Sequence, residues 1–343
     1  MRLMQAMAGA PVGGAENFFT RLALAFARAS IDQRVLIRPD AAREAAFGGA
    51  GVAVAKAPFG GLLDFHTSAR FRAEIGSFRP DIVLSWMNRA TRFCPRGDAH
   101  GFVHVGTPRG YYKLKHYRRC DHLVCTTADL VDHFTAAGWP SGRITEIPNF
   151  AHEMAAGPVP RASLDTPDEA PLLLALGRLH VNKGFDTLLA ALAELPDHYL
   201  WLGGSGPLRA CLGRQAAALG VAPRVRFLGW REDTAALLAA ADAFVCSSRH
   251  EPFGNIIIEA WAANVPVVVA ASTGPAALIA DGESGIVVPV DDASALAAAV
   301  RSLDGDAGLG VRLAAGGQAA YQAGYTEDVV AGRYMELFER LTG

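Results

Sequence analysis

Short apolar runs bounded by glycine or charge recur along the whole chain, and helix-length segments separate them. That alternation restricts the fold more than any other feature. In the second half, residues 171–177, 199–202, 225–230, 243–246 and 266–269 read as strands, and the apolar segment 285–289 comes near the domain's end. Helical spacing follows at 185–194, from Leu208, at 237–241, at 256–263 and from Ala293. Runs such as Leu172-Leu173-Leu174-Ala175-Leu176 are apolar at every position, as in a parallel sheet covered on both faces. Strands alternating with helices build such a sheet from strand–helix–strand units. The first half repeats the scheme, with strands expected at 1–8, 34–37, 52–55, 80–85 and 121–127, a strand then loop at 101–107, and residues 143–149 closing the half. Helices are expected there at 16–29, 71–77 and 128–137, and an amphipathic helix at 327–341 ends the chain. At 343 residues there is enough chain for two cores. Residues 151–170, rich in Pro, Ala, Gly and charge and without a period, read as the linker.

Composition removes several functions. The net charge of -2 gives no overall attraction to nucleic acid. The cysteines Cys94, Cys120, Cys125, Cys211 and Cys246 are scattered and never spaced as C-x-x-C, which suits a reducing cytosol better than a disulfide frame. His116, Cys120, His122 and Cys125 match no standard metal-site spacing, so no metal is expected. No apolar run nears the ~18 residues of a spanning helix, and Gly13, Gly14 and Glu16 interrupt any signal-peptide layout. A soluble cytoplasmic protein is expected.

The candidate chemistry lies on strand-to-helix turns, where open parallel sheets bind ligands. Ser247-Ser248-Arg249-His250-Glu251-Pro252-Phe253-Gly254-Asn255 joins an apolar strand to an apolar helix. Gly254 and Asn255 would set backbone N–H groups at that helix N-terminus, which suits a phosphate or another polar oxygen. Glu251 lies in the turn, and Glu259 lies inside the apolar helix, where a buried charge needs a partner. Arg178 and Lys183 straddle the loop after strand 171–177; a fork and a point charge there suit a pyrophosphate, while the alternative is two solvated loop residues. Gly203-Gly204-Ser205-Gly206-Pro207 is not G-x-G-x-x-G, and no acid follows about 20 positions on, so a nicotinamide cofactor is disfavoured. The Gly13-Gly14 loop before the first helix fits either a ligand or a tight turn.

Together these segments resemble the retaining GT-B glycosyltransferases, most closely family 4 (group 1 glycosyltransferases). The likeness rests on Gly13-Gly14-Ala15-Glu16, on Gly177-Arg178-Leu179 with Lys183-Gly184, on Gly204-Ser205-Gly206-Pro207, and on Glu251-Pro252-Phe253-Gly254 through Glu259, an E-x7-E pattern. It implies an α/β protein of two Rossmann-like domains with parallel sheets facing a cleft. Residues 1–155 would bind the acceptor, 165–325 the nucleotide sugar, and the terminal helix 326–343 would cross back to the first domain. It also implies donor contacts from Gly13, Gly14, Gly177, Gly204, Phe253, Gly254, Asn255 and Glu259, the last holding the ribose. Glu251 would hold the transferred sugar, Arg178 and Lys183 the leaving pyrophosphate, and His104 would stand by the reaction centre. A buried, hydrogen-bonded core histidine is the other reading of His104. Where relatives often carry a glutamate after Ala271-Ser272-Thr273-Gly274-Pro275, this chain has Ala276-Ala277-Leu278, which weakens a donor contact there.

No cofactor is expected beyond the donor substrate, a UDP- or GDP-sugar. The acceptor class is a glycan or lipid-linked saccharide, with bacterial lipopolysaccharide or surface polysaccharide synthesis as the family-level setting. Arg109, Lys113, Lys115, Arg118 and Arg119 alternate with Tyr111, Tyr112 and Tyr117. That suits an anionic membrane at its inner face or a phosphorylated acceptor; a solvated surface helix explains it equally, and single-stranded nucleic acid finds no other support. A catalytically idle nucleotide-sugar-binding subunit and a nucleotide-sugar epimerase on the same fold remain the alternatives.

Overall fold

The computed structural model describes residues 1–10, 13–61, 63–152 and 154–343. The chain divides into two compact units, Met1–Asn149 with Glu327–Gly343, and Phe150–Thr326.

The first unit is built on a seven-stranded sheet of β1 (Arg2–Met7), β2 (Asp32–Ile37), β3 (Ala53–Lys56), β4 (Ile82–Trp86), β5 (Val103–Thr107), β6 (His122–Cys125) and β7 (Ile144–Glu146). The order is β3-β2-β1-β4-β5-β6-β7, and every pairing is parallel. Met4, Ala6, Leu36 and Val83 meet Phe71 and Ile75 of the helix Phe65–Phe78 in one buried cluster. A buried polar chain runs through this unit: Gln5 Nε2 donates to Gln33 Oε1 (3.1 Å), Gln33 Nε2 to the Ala23 carbonyl (2.6 Å), and Trp86 Nε1 to Gln5 Oε1 (3.2 Å). The terminal helix Glu327–Thr342 packs on the first helix, Gly14–Arg28, with the Phe26 ring 6.0 Å from both Tyr334 and Phe338.

The second unit carries β8 (Leu172–Leu176), β9 (Tyr199–Gly203), β10 (Val225–Gly229), β11 (Ala243–Cys246), β12 (Val267–Ala270) and β13 (Ile286–Val288). Their order is β10-β9-β8-β11-β12-β13, again all parallel. Along β8, Leu173 and Ala175 join one core cluster while Leu172 and Leu174 join another. Both faces are therefore covered, which explains the uninterrupted apolar runs.

Two stretches take their form from contacts in the structure. Residues 154–170, within the expected linker, are laid on the second unit: the Arg161 guanidinium donates to the Ala240 carbonyl and pairs with Asp242 at 2.8 Å, and Val159 N–H donates to Ala236 O at 3.1 Å. The basic tyrosine stretch forms only a single 3-10 turn, Leu114–His116, and not a surface helix. Among the described residues, no helix is long and apolar enough to cross a membrane.

Candidate active site

In the second unit the chain runs outward from β8 to β9 and β10, then returns to β11 on β8's other side. β8 and β11 thus flank the switch point of the sheet, the place where loops diverge and leave room for a ligand. Both candidate loops leave from the carboxyl ends of these two strands. Gly177 and Arg178 follow β8, and a 3-10 turn Val181–Lys183 ends that loop. Ser247 to Gly254 follow β11 and lead into the helix Asn255–Ala262.

The two loops are joined along their length. Arg249 and His250 N–H groups donate to the Asn182 carbonyl (2.8 and 3.1 Å), and Ser247 Oγ donates to the Lys183 carbonyl (2.9 Å). The Arg249 guanidinium donates to both Asp186 carboxylate oxygens at 2.7 Å, to Val181 O at 2.9 Å, and pairs with Asp291 at 2.6 Å. These contacts, the Asp186 hydrogen bonds first, raise the Arg249 pKa and hold the Asp186 carboxyl below its ordinary value.

That clamp brings together two of the expected side chains. Lys183 Nζ donates to Glu251 Oε2 in an ion pair, and the side chains are 22 % and 16 % exposed. Arg178 is exposed on the same loop as Lys183 and, among the described residues, makes no hydrogen bond or ion pair. Glu259 is half-buried rather than buried. It shares a half-exposed face with Asn255, Ile256 and Ala262, while Ile257, Ile258, Ala260 and Trp261 turn inward. Asn255 and Glu259 stand one turn apart on that face. Gly254 caps the helix without a side-chain cap, so the first turn presents its backbone N–H groups. Gly177 and Gly204 lie against each other: a Cβ on Gly204 would come within 1.9 Å of the Gly177 carbonyl oxygen. Their smallness lets the β8 and β9 loops meet.

Three expectations need correction. His104 is the second residue of β5, at the strand end remote from its carboxyl terminus, and is fully buried. Its Nε2 lies 2.8 Å from Ser85 Oγ, its Nδ1 lies 3.3 Å from the Arg119 carbonyl, and its backbone N–H donates to Asp121 at 2.9 Å. Burial lowers its pKa to about 4. It is a core histidine, the blander of the two sequence readings. Phe253 is 6 % exposed and packs inside the second unit, 6.4 Å from the Tyr325 ring, so its side chain anchors the loop. Arg109 is no free surface cation: its guanidinium lies 4.7 Å over Phe18 and 4.5 Å over Trp86, and donates to Asn149 (2.7 Å) and Tyr334 (3.2 Å). Lys113, Lys115, Arg118 and Arg119 are exposed.

At the first unit's glycine loop, Gly13 precedes the helix Gly14–Arg28, and Pro11 and Val12 lie outside the described residues. Glu16 folds back, nearly buried, and accepts the Ala10 N–H at 2.9 Å. A Cβ on Gly13 would lie 2.2 Å from Glu16 Oε2. The Glu16 carboxylate thus stands directly against the Gly13 backbone. Sequence reading quoted Glu16 and Arg249 without giving them work; the only available signal was charge next to glycine in a strand-end loop.

Residues 12–152 match the model described as Glycosyltransferase Family 4, and residues 170–306 that described as Glycosyl transferases group 1. The chain is 36% identical over 332 residues to the lipopolysaccharide core biosynthesis glycosyltransferase LpsE of Rhizobium meliloti (strain 1021), covering 95% of each. It is 36% identical over 331 residues to LpsD of the same organism, covering 96% of this chain and 95% of LpsD. The crystal structure of Anabaena HepE in complex with UDP and glucose superposes with a TM-score of 0.82 at 21% identity, over 99% of this chain and 100% of that one. With two parallel-sheet Rossmann-like units and these matches, the chain belongs to the group 1 glycosyltransferases of family 4, with the GT-B fold.

Proposed function

We propose that the protein transfers a sugar, with retention of anomeric configuration, from a UDP- or GDP-sugar to a saccharide of the lipopolysaccharide core. The observation that carries this reading is the joining of the Lys183 and Glu251 loops at the β8/β11 switch point, with Arg178 unpaired beside Lys183. In this reading Arg178 and Lys183 receive the charge that grows on the leaving diphosphate. Glu251 releases Lys183 to the phosphate and accepts hydrogen bonds from the transferred sugar. Glu259, with Asn255 beside it, accepts from the ribose hydroxyls. The bond from the anomeric carbon to the phosphate oxygen breaks as the bond to the acceptor oxygen forms on the same face. The acceptor's proton passes to the departing phosphate oxygen. Positive charge fixed beforehand where negative charge develops is the main source of rate, and losing one such contact costs about 3–4 kcal/mol in the transition state. Support for the acceptor class comes from LpsE and LpsD, and for a nucleotide donor from the UDP held by HepE.

Two carboxylates near one sugar also describe a hydrolase, but hydrolases place both across the scissile bond, whereas here one serves the ribose. The test is incubation with labelled UDP- and GDP-sugars, with and without lipopolysaccharide core acceptor, followed by product analysis and assignment of the new linkage by NMR. Transfer with retention, slowed about a hundredfold or more in Lys183→Ala, supports the proposal. An isomerised donor would make the protein an epimerase, no turnover would make it a binding subunit, and rapid donor hydrolysis would refute the assignment of the glutamates.

A further inference from the structure

The first unit carries a cavity of about 310 Å³ lined by Ser68, Arg72, Arg92, Arg96, His100 and Arg119, with Phe93 and Pro95 as its apolar wall. The arginines come from four separate segments: the helix Phe65–Phe78, the helix Met87–Phe93, the loop leading into β5, and the loop leading into β6. Among the described residues, no acidic side chain lines it. A second cavity of about 370 Å³ shares Arg72 and His100 and adds Arg2 and Arg79. Its one acid, Asp81, accepts the Arg2 backbone N–H at 2.6 Å. Arg2 opens β1, and Pro80, Asp81 and Gly101 precede strands, so this region lies at the amino-terminal edge of the sheet, opposite the edge that carries the Gly13 loop.

Ordinary structural roles account for part of this charge. Arg79 and Arg92 lie at helix C-termini, where the dipole favours a cation, and Arg119 reaches the Arg92 carbonyl at 3.5 Å. Arg72 and Arg96 have no such explanation: among the described residues neither makes a hydrogen bond or ion pair. The molecule as a whole is slightly acidic, at -2, so the basicity is local. It extends to His116, whose pKa is lowered by burial and then by Lys115, Arg92 and Lys113. Cations converging on one concavity repel one another, and a bound oxyanion would relieve that repulsion. The space is about ten waters' worth, more than a lone phosphate needs, and planar guanidinium forks match phosphoryl oxygens.

We propose that the cavity formed by Arg72, Arg92, Arg96, Arg119 and His100 is a phosphoryl-binding site, separate from the nucleotide-sugar site, for a phosphate carried on a larger group such as a sugar phosphate or a lipid headgroup. The full chain is titrated calorimetrically with glucose phosphate, and in a parallel arm is floated with vesicles of phosphatidylglycerol and phosphatidylcholine or of phosphatidylcholine alone. Each arm uses the wild type, Arg72→Gln/Arg96→Gln, Lys183→Ala and the combined variant. The expected result is affinity weakened roughly tenfold or more by Arg72→Gln/Arg96→Gln, equally in the Lys183→Ala background. Arg72→Lys/Arg96→Lys should retain part of the binding and guards against misfolding. Loss confined to glucose phosphate identifies a soluble phosphorylated ligand, and loss confined to phosphatidylglycerol vesicles identifies a headgroup. Binding unchanged by the arginine substitutions in both arms, or lost only through Lys183→Ala, overturns the proposal. Lys183→Ala separately reads the donor clamp, so the two assignments fail independently.

Discussion

At the residue scale, Lys183 and His104 show how one kind of motif evidence reaches opposite outcomes. Lys183 stands after β8 at the carboxyl edge of its sheet and meets Glu251; His104 stands at the start of β5 and meets Ser85 and a backbone carbonyl. Replacing Lys183 with Ala leaves Glu251 without its cation and, in the proposed mechanism, removes a compact charge from the leaving diphosphate. We expect kcat/KM to fall about a hundredfold or more, mostly through kcat, as steady-state kinetics would read. For His104 the expectation concerns stability. Its pKa is about 4 when folded against an ordinary 6.5, so between these values the unfolded chain binds more protons than the folded one. Stability therefore rises with pH across that window, and falls as pH drops from 6.5 toward 4. The penalty at the acid end is roughly 3 kcal/mol. Denaturant unfolding at pH 7 and 4.5 should show a smaller difference in His104→Gln than in the wild type, with turnover at neutral pH nearly intact. A large kcat loss in a stably folded His104→Gln would restore the catalytic reading.

At the scale of elements, the strap between the two loops is built mainly on Arg249. Its guanidinium ties Asp186, Asp291 and the Val181 carbonyl, and so links the loop with Glu251 to the turn with Lys183. Arg249→Met should loosen Lys183 and Glu251, the two side chains of the proposed mechanism, and cost roughly a hundredfold in kcat, because misplacement of about an ångström is enough. Arg249→Lys can keep one ion pair but not the fork, and should recover only part. If kcat survives Arg249→Met, the strap is dispensable. Most strands and the long amphipathic helices were legible in the sequence because period and burial agree there: β8 is apolar throughout, and the helix Glu327–Thr342 buries Val330, Tyr334 and Phe338 on one stripe. The helix Ala307–Gly324 was not legible. Its glycines argue for a loop by propensity, yet they exist for contact: a Cβ on Gly317 would come within 2.2 Å of Trp261, and one on Gly316 within 2.0 Å of the Glu283 carbonyl. The basic stretch 109–119 misled for a related reason, since the Arg109 charge is stacked on Phe18 and Trp86, a tertiary contact that no local pattern reveals. Gly317→Ala, favourable for an isolated helix, should instead destabilise by about 1–3 kcal/mol through overpacking against Trp261, as chemical denaturation would measure.

At the scale of the whole molecule, each unit owns a sheet and its cores, and the chain leaves the second unit after Thr326 to finish on the first. That final helix covers apolar surface of the first unit through Tyr334 and Phe338 on Phe26, and Tyr334 also caps the Arg109 guanidinium. Its loss should be felt by the unit to which it is packed and not by the one to which it is joined in sequence. Tyr334→Ala removes a fully buried aromatic ring and leaves Arg109 short of a partner, a change of about 3–5 kcal/mol. Calorimetry should resolve this as an earlier transition for the first unit, with the second unit's transition little changed. Adding the bound nucleotide diphosphate at 100 times its dissociation constant should raise the second unit's stability by about 2.7 kcal/mol, in wild type and Tyr334→Ala alike. Opposite responses would assign the terminal helix or the nucleotide to the wrong unit: a nucleotide that rescues the first transition in Tyr334→Ala would place its main contacts away from Arg178, Lys183 and Glu259. A single transition shifted as a whole would show that the two cores unfold together, and that the terminal helix serves the full chain instead of one half.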